Sequence, residues 1–76
     1  MSVTVGANVR AEMARRLVSQ SDLARELGLS QMAVSRRLRG DIPFDVDEIA
    51  RAAVYLEVPL SVLMPEPKRE PMTAAL

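Results

Sequence analysis

Gln31 and Arg36 stand five residues apart in the run QMAVSRRLR, and both side chains carry paired hydrogen-bonding groups in a flat, forked arrangement. A glutamine amide can pair with N6 and N7 of adenine, and a guanidinium with O6 and N7 of guanine. Ser35, next to Arg36, both donates and accepts, whereas Met32 offers only apolar contact, of the kind a thymine methyl provides. Catalytic chemistry lacks its residues. There is no cysteine and no histidine, which removes thiolates, disulfides, the commonest metal ligand and the commonest general base. Asp41, Asp45, Asp47 and Glu48 could hold a hard cation in principle, but helix caps and loop turns account for these acids better. Nor is there a glycine-rich phosphate loop. The reading is of a chain that is not an enzyme, with no cofactor, no metal and no evident small-molecule substrate.

The formal net charge is zero, yet the charges are divided along the chain. Between residues 10 and 39, seven arginines stand against Glu12, Asp22 and Glu26, a balance of +4; residues 40–76 carry three basic and seven acidic side chains, a balance of −4. A basic half can lie on an anionic surface while the acidic half faces away. All seven cations in the basic half are arginine, which suits bidentate contacts to phosphate and guanine better than lysine does.

Gln31 and Arg36 need an element that presents them, and residues 20–39 supply it. Residues 20–27 read as a short helix stopped by Gly28, which takes a positive φ without a Cβ penalty. Leu29 fills the turn. Ser30 then caps a second helix over residues 31–39, its hydroxyl placed to accept from an otherwise unpaired amide. So short a turn forces a sharp crossing, for which Ala24 supplies a small side chain, while Leu23, Leu27 and Val34 have the spacing to meet beneath it. Leu38 must turn inward as well. Two helices with the second exposed make a helix-turn-helix, and that points to DNA. The exposed helix has no acid in its first turn, so its positive end is free to approach an anion.

The remaining elements close a core around this pair. A first helix over residues 4–17 carries Val5, Val9, Met13 and Leu17 along one stripe, with Arg10, Glu12, Arg15 and Arg16 opposite. Val18 before the Ser19 cap, Leu29 before Ser30 and Phe44 before Asp45 form three hydrophobic staples with Leu23, Val34 and Ile49, and Asp22 and Glu48 sit where capping-box acids reach back. A fourth helix over residues 46–57 turns Val46, Ile49, Ala53 and Leu56 inward. The loop 40–44 is anchored by Ile42 and Phe44, and residues 59–64 are at most a short fifth helix. Residues 1–64 thus read as one domain and residues 65–76, rich in proline, as a disordered tail. No apolar run approaches the roughly 18 residues of a membrane span, and residues 1–6 lack the features of a signal peptide, so no membrane and a cytoplasmic, nucleoid-associated location are expected.

Gln20, Ala24, Gly28 and Val34 in register, followed by VSRRLRGDIPFDVDEIA, give a sequence that resembles the small phage-repressor and Cro type helix-turn-helix domains, including short actinobacterial and phage regulators, over about residues 5–64. It departs from them at Leu17, where they often have glycine closing the first helix, and at Glu12, where they often have an apolar residue. The resemblance implies an all-α, compact four- to five-helix bundle of lambda-repressor-like type. It also implies that Gln31, Met32 and Arg36, with Ser35 beside them, occupy base-reading positions. Gln20 and Ser30 would contact phosphates, and Arg37 and Arg39 would meet phosphates at the far end of the helix. Arg10, Arg15, Arg16 and Arg25 are weaker candidates. The expected function is that of a transcription regulator binding double-stranded DNA as a homodimer on a palindrome and repressing by promoter occlusion. The rival reading is a protein-binding module, such as an antitoxin whose tail folds on a toxin.

Overall fold

An oxygen-bearing residue stands immediately before each of the first four helices and accepts from an amide in the first turn. The computed structural model describes residues 4–65. Thr4 Oγ1 caps α1 (Val5–Arg16), Ser19 caps α2 (Gln20–Leu27), Ser30 caps α3 (Gln31–Arg39) and Asp45 caps α4 (Val46–Leu56). Asp22 and Glu48 complete full capping boxes, each carboxylate accepting the cap residue's own N–H. The short α5 (Leu60–Leu63) has no side-chain cap. Among the described residues there is no strand, and no helix is long and apolar enough to cross a membrane.

The same four helices also end alike. Leu17, Gly28, Gly40 and Glu57 each adopt the left-handed conformation, with φ of 57°, 70°, 86° and 59°. In each case that residue and the next donate back to the last turn, as Gly28 does to Arg25 O and Leu29 to Ala24 O, which satisfies carbonyls that would otherwise be left unpaired.

These ends fold the helices onto an aliphatic core in which Val9, Leu23, Val34, Ala52, Leu56 and Leu63 are fully buried. The α3 helix packs on α1 and α2, while α4 packs on α1, α2 and α5; the backbones of α3 and α4 do not approach. Close approach of α1 to α3 depends on Gly6, where a Cβ would lie 2.6 Å from the carbonyl oxygen of Arg37 and 2.7 Å from that of Leu38. Asn8, two residues further along α1, donates through Nδ2 to the carbonyls of Leu63 and Met64 and so holds the end of α5.

Three expectations about the helix faces need correction. Leu17 is not on the buried stripe of α1: the helix ends at Arg16, the left-handed residue swings its side chain out to 91% exposure, and Val18 packs against the core instead. Glu12 is not on the exposed face: it is 6% exposed, its carboxylate held by the guanidinium groups of Arg15 and Arg16, which offset the burial of its charge. Val46 is 77% exposed because it lies in the first turn beyond the packed part of α4, and Phe44, on the other side of the cap, is the buried group at that end. Ala52, not expected to face inward, is fully buried. The tail expected at residues 65–76 lies, from residue 66 onward, outside the described residues.

Candidate nucleic-acid interface

Val34 and Leu38 bury one face of α3, and the rotation of about 100° per residue fixes where the other side chains go. Met32, Ser35, Arg36 and Arg39 fall on the opposite arc. Together with Gln31 and with Gln20 from the start of α2 they line one shallow, open depression. Five residues of α3 and one of α2 are thus brought to a single surface by the helix-turn-helix crossing. Ala24, 4% exposed, and Gly28 permit that crossing, Ala24 by its size and Gly28 by its left-handed φ.

The two ends of this surface differ in charge. At the start of α3, Ser30 Oγ accepts from Ala33 N at 3.0 Å, and the first turn contains no acid. Helix-start amides there add to a positive end that attracts anions. At the far end stand three arginines in different situations. Arg36 is exposed and makes no ion pair among the described residues. Arg39 donates through Nε and Nη2 to Asp41 Oδ2 at 3.2 and 3.1 Å and through Nη1 to Ser35 Oγ at 3.1 Å. Its pair with Asp41 is exposed on both sides and so is weak enough for a phosphate to displace.

Arg37 is placed apart from the other two. Its side chain points away from the depression, donates through Nε to Glu48 Oε1 at 2.9 Å and through Nη1 to Ala33 O at 3.0 Å, and keeps 17% exposure. The guanidinium expected on phosphate is therefore engaged inside the protein. Of the weaker candidates, Arg15 and Arg16 are taken by Glu12, Arg25 lies 3.6 Å from Asp22, and Arg10 is exposed. Asp22 is held below its ordinary carboxylate pKa first by the Ser19 amide, then by the Ser19 hydroxyl, with Arg25 adding to the effect.

Sequence reasoning missed Gly6, Asn8 and the partnership of Glu48 with Arg37. Asp41, two residues after Arg39, was visible as a neighbour; nothing in an eleven-residue separation marks Arg37 and Glu48 as a pair.

Comparison with known proteins now bears on this geometry. A family model described as helix-turn-helix matches residues 9–63. Comparison with curated proteins gives no match. Among solved structures, the chain is similar to the P22 c2 repressor protein in complex with synthetic operator 9T in the presence of Tl+, with a TM-score of 0.72 and 19% identity over 82% of this chain and 94% of that one. At that identity the likeness is one of fold. With the family match spanning most of its length and the repressor architecture beneath it, the chain belongs to the helix-turn-helix family.

Proposed function

We propose that the chain is a sequence-specific DNA-binding transcription regulator that represses by occluding a promoter. The observation that carries the reading is the depression on α3, where Gln31, Met32, Ser35 and Arg36 sit together at an outward face with an acid-free helix start. In this reading α3 enters the major groove. Gln31 and Arg36 take adenine and guanine edges, Met32 makes apolar contact and Ser35 adjusts to either. Gln20, the capped start at Ser30, and Arg39 fix the helix on phosphates. Asp47, in the first turn of α4, favours its own helix dipole and repels phosphate, whereas the charge of Glu48 beside it is met by Arg37. The solved repressor with the similar fold is described as bound to an operator, which agrees with this assignment. A homodimer would place two such helices on half-sites about one helical turn apart. Activity is expected on chromosomal or phage DNA in the cytoplasm.

Selection of bound duplexes from a random pool tests the proposal. One enriched sequence, protected over α3-sized half-sites, is the expected result. A pseudo-palindrome occupied by two chains supports the dimer, and a single half-site occupied by one chain removes it. Recovery of unenriched sequence would sink the reading as a specific regulator.

A further inference from the structure

We infer that Arg37 and Glu48 form a clamp that sets the orientation of α3, making Arg37 a positioning residue for base recognition rather than a phosphate contact; the inference rests on the DNA-binding reading above. The recognition surface is borne by a helix of nine residues, packed on α1 and α2 through Val34 and Leu38. Those contacts lie on one face and leave rotation about the long axis of α3 resisted from one side only. The backbone of α4 does not approach α3, yet α4 reaches it through a side chain. Glu48 Oε1 accepts from Arg37 Nε at 2.9 Å, and the pair is mostly buried, at 17% and 14% exposure.

Both halves of the clamp are themselves held. The same Glu48 oxygen accepts the Asp45 N–H at 3.1 Å, while the Glu48 N–H donates to Asp45 Oδ1 at 2.7 Å, so the capping box of α4 fixes the carboxylate. Arg37 is steadied by its second bond, to Ala33 O on its own helix. Beneath it, Gly6 of α1 lies against the carbonyl oxygens of Arg37 and Leu38. Arg37 is therefore where α1 meets the backbone of α3 and α4 meets its side chain. It lies about 100° round the helix from Arg36, on the flank opposite Gln31. A small rotation of α3 would move Gln31 and Arg36 across the groove floor together. Base hydrogen bonds depend on such placement, whereas phosphate contacts tolerate it.

Two substitutions in the full chain decide the matter, each compared with the parent on the duplex enriched from the random pool and on an unrelated duplex at one salt concentration. Arg37→Met keeps much of the stem and removes the donors; Glu48→Ala removes the acceptor and leaves Asp45 to cap α4. The ratio of the two affinities cancels the change in overall charge. It should fall by about tenfold in both variants, and the double variant should be no worse than either single one. If Arg37 instead serves phosphate, Arg37→Met weakens both duplexes alike, Glu48→Ala frees a cation and strengthens both, and the ratio stays constant; that outcome overturns the clamp. Melting temperatures of the same variants confirm that they are folded under the assay conditions. Amide NMR without DNA provides a readout independent of any operator. Both variants should shift the signals of Gln31, Met32, Ser35 and Arg36 in common, and an unchanged α3 spectrum overturns the clamp. Shifted α3 signals with no enriched sequence would instead leave the clamp standing and remove the DNA reading.

Discussion

Arg36 and Arg39 share one face of α3, but only Arg39 is already paired, through Asp41 and Ser35. An unpaired guanidinium on the outward arc can be spent on a base edge, while one held by an exposed carboxylate can exchange it for phosphate at little cost. Arg36→Ala should therefore lose about 1–3 kcal/mol on the selected operator and relax preference at one base pair, and Arg39→Ala should weaken all sequences about equally. Affinities on every single-base variant at fixed salt check this; equal, sequence-independent losses would take Arg36 out of the reading set. A second residue-level expectation concerns acid. Asp22 has its folded pKa depressed by the Ser19 amide and hydroxyl. Its contribution to stability is thus present above the ordinary aspartate pKa and lost as pH falls through the lower folded value. Ser19→Ala, which keeps the amide and removes the hydroxyl, should bring the Asp22 titration part of the way back up. A carboxyl-carbon NMR titration with an unmoved midpoint would show that the hydroxyl has no share in the shift.

At the scale of elements, starts and stops follow local chemistry and so could be read from the chain. Ser19, Ser30 and Asp45 cap the helices they were expected to cap, and Gly28 has the left-handed φ inferred from its place between Leu27 and Leu29. Gly28→Val should destabilise by more than about 1 kcal/mol, since a β-branched residue is strained there; an unchanged urea midpoint would contradict this. Faces were harder. The spacing of Val5, Val9 and Met13 extends to Leu17, and nothing in periodicity reveals that the chain turns left-handed one residue after Arg16. Glu12 looked solvated because its type is charged, while its burial depends on two arginines folding back over it. The departures from the family pattern fell on these same two residues. Leucine keeps the glycine conformation at 17, and glutamate occupies the buried position at 12. The outward row of α3 was legible because it is set by one helix, whereas Gly6 and Glu48 were not, because each acts across a long-range approach. Gly6→Ala would push a methyl into two carbonyl oxygens and should cost about 1–3 kcal/mol. The corresponding fall in melting temperature would be at least about 4 °C, and a melt within about 1 °C of the parent would mean that α1 yields easily.

Across the whole molecule, the arginine-rich stretch and the acidic one give opposite ends to a chain of zero formal charge. DNA affinity should accordingly fall steeply with salt, with a log-log slope of several units between about 50 and 200 mM as counterions are released. A flat response would count against a footprint on the DNA backbone. The four left-handed helix ends carry a different implication, for how this protein can change. Glycine fills two of them; Leu17 and Glu57 fill the others with side chains that are exposed and held at positive φ. An L-residue there is strained by roughly 1–2 kcal/mol, and glycine would relieve this at a smaller entropic cost, so Leu17→Gly and Glu57→Gly should each raise stability by about 0.5–1 kcal/mol in urea titration. Neither position touches the depression on α3. A lineage or an engineer could therefore strengthen the scaffold at these two corners and, separately, vary Gln31, Met32 and Arg36, changing which sequence is recognised without redesigning what holds the recognising helix.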